Sequence, residues 1–291
     1  MTVAHTTAAT GTTDAWWSAW VVDVASLAVI AVLTAAYLHG NHHLATRRVG
    51  RRGRTAPFLV GIATVVLAHT GPPAALATQL FWSHMIQHLL LILVAAPLIA
   101  AGAPTTTVRA GLPPAGRHAA AILARRSRRA RRALGDPPAI FLATAAHVTT
   151  LWLWHVPVVY DAAVTNHLVH LLEHATLLAT AVWFWSEVWA TARRHRRHQA
   201  LATLCLGAMI VQGGVLGALL TFAGRSLYTV HTGGAGLTAL EDQQLAGALM
   251  WVPPGFVYAS VAARRFAAWF GAADGPRRSG QTADPTGSAL P

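Results

Sequence analysis

The residues of this chain best suited to chemistry are its histidines. His84 and His88 stand four apart with Gln87 between them, and His170 and His174 repeat that spacing around Glu173. Residues four apart on a helix share one face about a turn from each other, so each pair can present two imidazoles to one ion. His69, His155 and Asp242 are further candidate ligands, by their places at the ends of other apolar stretches. Imidazole with an occasional thioether or carboxylate suits copper or zinc, whereas calcium and magnesium prefer oxygen. Met85 beside His84, and Met250 about two turns beyond Asp242, favour copper. A haem clamped by His88 and His174 is the alternative that the same residue types allow. The single cysteine, Cys205, excludes an internal disulfide and a cysteine-based metal site.

The elements that must carry these groups are apolar. Of 291 residues, 54% are hydrophobic and only 11% charged, and the mean hydropathy is +0.44. A soluble domain carries roughly a quarter charged residues, so an ordinary cytosolic enzyme, a coiled coil and a disordered chain are all poor readings. The formal net charge of +12 comes from 10 acids and 22 basic residues, all arginine. These arginines fall in short runs between apolar stretches, not on one folded face, which excludes nucleic acid as the partner. A retinal photoreceptor is excluded as well, because its Schiff base needs a lysine.

About 20 apolar residues of helix cross a hydrocarbon core about 30 Å thick. Seven stretches approach that length: 20–39, 57–76, 80–102, 138–156, 167–190, 200–222 and 243–263. Gly71, Pro72 and Pro73 interrupt the second, which can end near Thr70, and Pro157 ends the fourth directly after His155. Pro97, Pro253 and Pro254 predict kinks in the third and seventh spans. Gly213 and Gly217 form a small-xxx-small pair for close packing of the sixth.

Arginine in short loops stays on the cytoplasmic side. Seven spans with the N-terminus outside and the C-terminus inside leave Arg225 as the one outer arginine among the 22. The expected fold is therefore an all-α seven-helix transmembrane bundle over residues 20–265. Residues 1–19 form an outer N-terminal segment, and 266–291, rich in Gly, Pro, Ser and Thr, a disordered cytoplasmic tail. Nothing basic precedes the first apolar run, so no signal peptide is expected.

In this topology His84, His88, His167, His170, Glu173, His174, His69, His155 and Asp242 all lie near the outer surface, and His147 about 12 Å deeper than His155. Ionisable groups within spans face the protein interior and mark a site by default. A shared polar site in the outer half is the economical reading. His39, His42, His43, His195 and His198 fall beside basic runs at the inner surface and suit a headgroup-facing role. His5 and His231 lie in outer segments and could help capture an ion. Asp161 is expected to cap the fifth span.

The segment from Ser83 to Leu91, Ser-His-Met-Ile-Gln-His-Leu-Leu-Leu, followed by Ala95-Ala96-Pro97-Leu98 and Gly102-Ala103-Pro104, resembles the caa3-type CtaG family. Three further stretches carry the resemblance: Trp154-His155-Val156-Pro157 with Tyr160-Asp161, Leu172-Glu173-His174 with Phe184-Trp185, and Asp242-Gln243-Gln244-Leu245-Ala246-Gly247 with Met250-Trp251. The match runs in order from about residue 57 to 263. It implies a multi-pass protein of a bacterial plasma membrane that assists assembly of cytochrome c oxidase. Expected partners are oxidase subunits, membrane lipids and a copper donor protein, and the expected cofactor is copper.

Taken together, the residues predict a non-enzymatic assembly factor binding copper among His84, His88, His170 and His174, with His69, His155 and Asp242 as alternate ligands or supports. A haem-binding redox protein or a metal transporter are the rivals. The transporter would need polar groups continuing through the membrane, and below His147 and His174 the chain is mostly apolar.

Overall fold

A computed structural model describes residues 20–46, 53–133, 135, 138–191 and 196–271. The outer segment 1–19 with His5, the arginines at 47, 48, 51, 52, 193 and 194, His195 and the tail from 272 lie outside the described residues.

Helix dominates. In chain order the elements are α1 (Val24–Thr46), α2 (Thr55–Thr70), α3 (Pro72–Leu76), α4 (Phe81–Leu89), a π-helical segment (Leu90–Ala95), α5 (Ala96–Ala101), α6 (Pro104–Gly111), α7 (Pro114–Ala133), α8 (Ala139–Trp154) and α9 (Pro157–Thr165). Then come α10 (His167–Thr191), α11 (Arg196–Thr221), the two-residue antiparallel strands β1 (Gly233–Gly234) and β2 (Leu237–Thr238), and α12 (Ala239–Gly271). Among the described residues six helical runs are long and apolar enough to cross a membrane, and a seventh is counted if α8 and α9 form one bent span. The architecture is that of a multi-pass membrane protein. Large apolar side chains stand exposed along it, such as Val32, Leu204, Val211 and Phe256, as side chains facing hydrocarbon do.

Prolines set several of the boundaries. A residue before proline is pushed out of the helical region. Gly71, before Pro72, is extended and ends α2 at Thr70, and Val156, before Pro157, is extended and separates α8 from α9. The α8–α9 bend is 76°, so the stretch expected as an outer loop at 157–166 is mostly helix.

Pro97 acts differently from a simple kink. In a π-helix the amide of residue i+5 serves the carbonyl of residue i, and the Ala96 amide does reach the Leu91 carbonyl. The next carbonyl, that of Ile92, would need the amide that Pro97 lacks. It accepts instead from the Trp185 indole N–H at 3.0 Å. α12, by contrast, runs through Pro253 and Pro254 as one helix.

Close helix crossing follows glycine, with a changed pairing. A Cβ on Gly217 would lie 2.7–2.8 Å from Trp251 Cβ and the Gly247 carbonyl, and one on Gly247 would meet Thr221 and the Gly217 carbonyl. α11 and α12 therefore touch through Gly217 and Gly247, whereas nothing lies within 4 Å of a Cβ on Gly213. One apolar core packs Phe184, Trp185, Leu206, Met209 and Tyr258. A second, over the histidines, holds Phe81, Met85, Tyr160, Tyr228 and Met250.

Candidate metal centre

The site begins at the N-terminus of α4, where the first amides have no partner within the helix. Leu80 supplies no side-chain cap there. Asp242, at the start of α12, does so from across the fold: its carboxylate oxygens accept from the amides of Phe81 at 2.8 Å and Trp82 at 2.9 Å. A carboxylate on a helix N-terminus is further favoured by the helix dipole. Gln87 donates to the Ala68 carbonyl of α2 at 2.7 Å. Between these two anchors, His84 and His88 point inward on successive turns.

α10 starts on its own cap. Asn166 Oδ1 accepts from the amides of Leu168 at 2.9 Å and Val169 at 3.3 Å. Asp161, expected in that role, instead accepts from the hydroxyl and amide of Thr229 and ties down the loop before β1. From this start His170, Glu173 and His174 meet the α4 histidines.

The meeting is close. His84 Nε2 and His88 Nε2 are 3.0 Å apart. The Glu173 carboxylate spans both, Oε2 at 3.4 Å from His84 Nε2 and Oε1 at 3.4 Å from His88 Nε2. Donors about 2.0–2.1 Å from a tetrahedral ion stand about 3.3 Å from one another, so this knot already has the spacing of a coordination shell. One donor atom each from His84, His170, Glu173 and His174 also lie within 4.8 Å of one another. His84, His88, Glu173 and His174 are all at most 2% exposed.

Several polar atoms of the cluster lack a hydrogen-bond partner. Both Glu173 oxygens, His88 Nδ1, His174 Nε2 and His155 Nε2 are buried with no hydrogen-bond partner. A buried charge is normally paired or bound to a metal. No arginine is placed to pair with Glu173 among the described residues.

The surrounding residues orient the donors. His69 Nδ1 donates to the Val65 carbonyl at 2.9 Å, leaving Nε2 as an acceptor. His174 Nδ1, 3.3 Å away, donates to it. That chain fixes the His174 tautomer and turns its Nε2 lone pair into the cluster, as histidine ligands require. His69 thus supports a neighbour instead of joining the knot. His155 donates from Nδ1 to the Leu151 carbonyl at 2.6 Å, and its ring lies 6.2 Å from that of His88. Asp242 accepts one α4 amide on each carboxylate oxygen and is not among the residues that offer donors to one ion. His147 lies apart too, Nδ1 on Thr180 Oγ1 at 3.0 Å.

A roof of aromatic side chains closes the cluster, and the sequence reading did not foresee it. Tyr160 stacks obliquely on His84 at 5.1 Å and donates to His231 Nε2 at 2.8 Å. His231 Nδ1 in turn donates to the Gln79 carbonyl at 3.3 Å. Burial holds the His231 imidazole below its ordinary range, hence neutral, which suits a ring that donates on one side and accepts on the other. With both nitrogens engaged, His231 is a strut and not a free ion-catching group. Tyr228 donates to the His155 carbonyl at 3.0 Å. Gln243 accepts from the Leu227 amide at 2.6 Å and Gln244 donates to the Ala223 carbonyl at 3.3 Å. Met85 and Met250 pack within this roof. Scattered over a loop and three helices, these residues carry no periodic signal.

The family described as cytochrome c oxidase caa3 assembly factor (Caa3_CtaG) matches residues 35–272, most of the chain. The chain belongs to that family. No curated protein and no solved structure matches it. The region matched to the assembly-factor family takes in the whole cluster, from His69 to Asp242, together with the roof.

Proposed function

We propose that this assembly factor holds one copper ion between His84, His88, Glu173 and His174, with His170 as an exchangeable ligand, and delivers it to cytochrome c oxidase during assembly. The observation that carries the reading is the buried Glu173 carboxylate, facing two imidazole Nε2 atoms at 3.4 Å with no arginine beside it among the described residues. An ion at that point supplies the missing positive charge and turns four competing lone-pair donors into one coordination shell. Imidazoles with one carboxylate form a donor set for a late first-row ion. Membership of an oxidase-assembly family makes copper the natural cargo.

A porphyrin needs a planar slot several ångströms wide between its two axial imidazoles. The His88 and His174 rings are 5.2 Å apart, with His84 and His170 packed beside them, which favours a point ion over haem. Delivery to a partner protein needs no chemistry on a substrate, so the role is non-catalytic. The arginine pattern supports an outward-facing histidine end, and the family supports a bacterial plasma membrane, where His170, only partly buried, offers the route between cluster and partner. Metal analysis of the purified protein tests the reading. About one copper per chain is expected, falling to background in the His84→Ala/His88→Ala variant; unchanged copper in that variant refutes it.

A further inference from the structure

The geometry of the buried pair recurs at the other end of α1. His39 and His43 also stand four residues apart, and their Nε2 atoms are 3.0 Å from each other, as in His84 and His88. Ring centroids are 4.4 Å apart at 87° in one pair and 4.6 Å at 89° in the other. In both places one ring nitrogen hydrogen-bonds the other, which brings two imidazole Nε2 atoms within reach of a single ion.

The two points are well separated. The start of α1 is tied to the cluster end, since Asp23 lies 3.7 Å from His167 and the Val21 amide donates to the Thr70 carbonyl. His39 is 16 residues further along, about 24 Å at 1.5 Å per residue.

The His39–His43 pair also sits on a rigid support. A Cβ on Gly40 would lie 1.9 Å from the Thr107 carbonyl, so α1 and α6 cross backbone to backbone beside it. Tyr37 donates to the Gly102 carbonyl at 3.0 Å, and Asn41 to the Thr55 hydroxyl at 3.1 Å. These contacts lock the last turns of α1 against α6 and α2, leaving His39 and His43 exposed. A pair of ligands held on a rigid element keeps its geometry without an ion.

We propose that His39 and His43 form a second, exposed bis-imidazole site for a late first-row transition-metal ion, independent of the buried cluster. Two ligands from the described residues leave positions open to water, so the ion is held more weakly than in the buried cluster and exchanges readily.

The test is a chelator-competition titration with Cu(II) on the full chain in lipid nanodiscs, purified through a tag free of histidine. A tight and a weak phase are expected. His39→Ala/His43→Ala should remove one equivalent from the weak phase and leave the tight phase intact. His84→Ala/His88→Ala should remove the tight phase alone, which separates the fate of this proposal from that of the buried centre. The exposed pair can be replaced without touching the core, and an unchanged elution profile verifies the fold. A wild type without a weak phase, or a weak phase of unchanged stoichiometry in His39→Ala/His43→Ala, overturns the proposal.

Discussion

The two ends of the helix bundle differ in what their directed contacts hold. At the histidine end, polar side chains reach across to the backbone of distant elements: Asp242 onto the α4 amides, Gln87 onto α2, Gln243 onto the loop after α11, Tyr228 onto the end of α8. At the other end, Phe184, Trp185, Leu206 and Tyr258 pack against one another, and directed bonds flank that packing: Trp185 and Trp189 donate to the carbonyls of Ile92 and Pro97, Tyr37 to that of Gly102, Asn41 to the Thr55 hydroxyl, and Arg265 to Thr191 and Val188. Apolar packing tolerates small shifts. Directional hydrogen bonds tolerate far fewer, and an ion site needs its donors within a fraction of an ångström. The buried cluster thus sits where directed contacts from α12 and α2 hold α4, the helix that carries His84 and His88.

Substitutions in the two regions should therefore separate binding from stability. The largest effect is expected of Glu173→Gln, which keeps the shape of the side chain and removes the charge: bound copper should fall to background by metal analysis, with the elution profile unchanged. His69→Leu breaks the chain that fixes the His174 tautomer. By the usual effect of losing such a support, it should weaken copper binding about 10- to 100-fold in a chelator competition. Asp242→Ala leaves two α4 amides unpaired and should cost about 1–2 kcal/mol of stability, read in metal-free thermal unfolding, with copper affinity falling too because α4 carries both His84 and His88. Trp185→Phe, at the opposite end, removes one hydrogen bond to the Ile92 carbonyl and should cost about 1 kcal/mol with copper affinity unchanged. Equal losses of copper binding from Trp185→Phe and Asp242→Ala would break the distinction between the ends.

Local signals made part of this legible in the sequence. The apolar runs located the helices because crossing hydrocarbon requires length and little else. Pro72 and Pro157 marked real boundaries, and the i, i+4 spacing of His84/His88 and His170/His174 placed each pair on one face. What escaped depended on partners far along the chain. Asp242 reads as an alternate ligand or a support, and the contacts that make it a support of α4, to the amides of Phe81 and Trp82 about 160 residues away, exist only in the fold. Gly217 lines up with Gly213 in sequence but meets Gly247 in space. Glu173 shows in the sequence only as the residue between His170 and His174, and its place between the imidazoles of His84 and His88 comes from the tertiary fold. Asp161 has a helix start five residues ahead of it, yet the hydroxyl of Thr229 wins it.

X-ray absorption at the copper edge of the loaded protein tests the centre most directly. The account predicts nitrogen and oxygen neighbours at about 2.0 Å with the multiple-scattering pattern of at least two imidazoles, reduced in His84→Ala/His88→Ala. A first shell dominated by sulfur, or one without imidazole scattering, would contradict it.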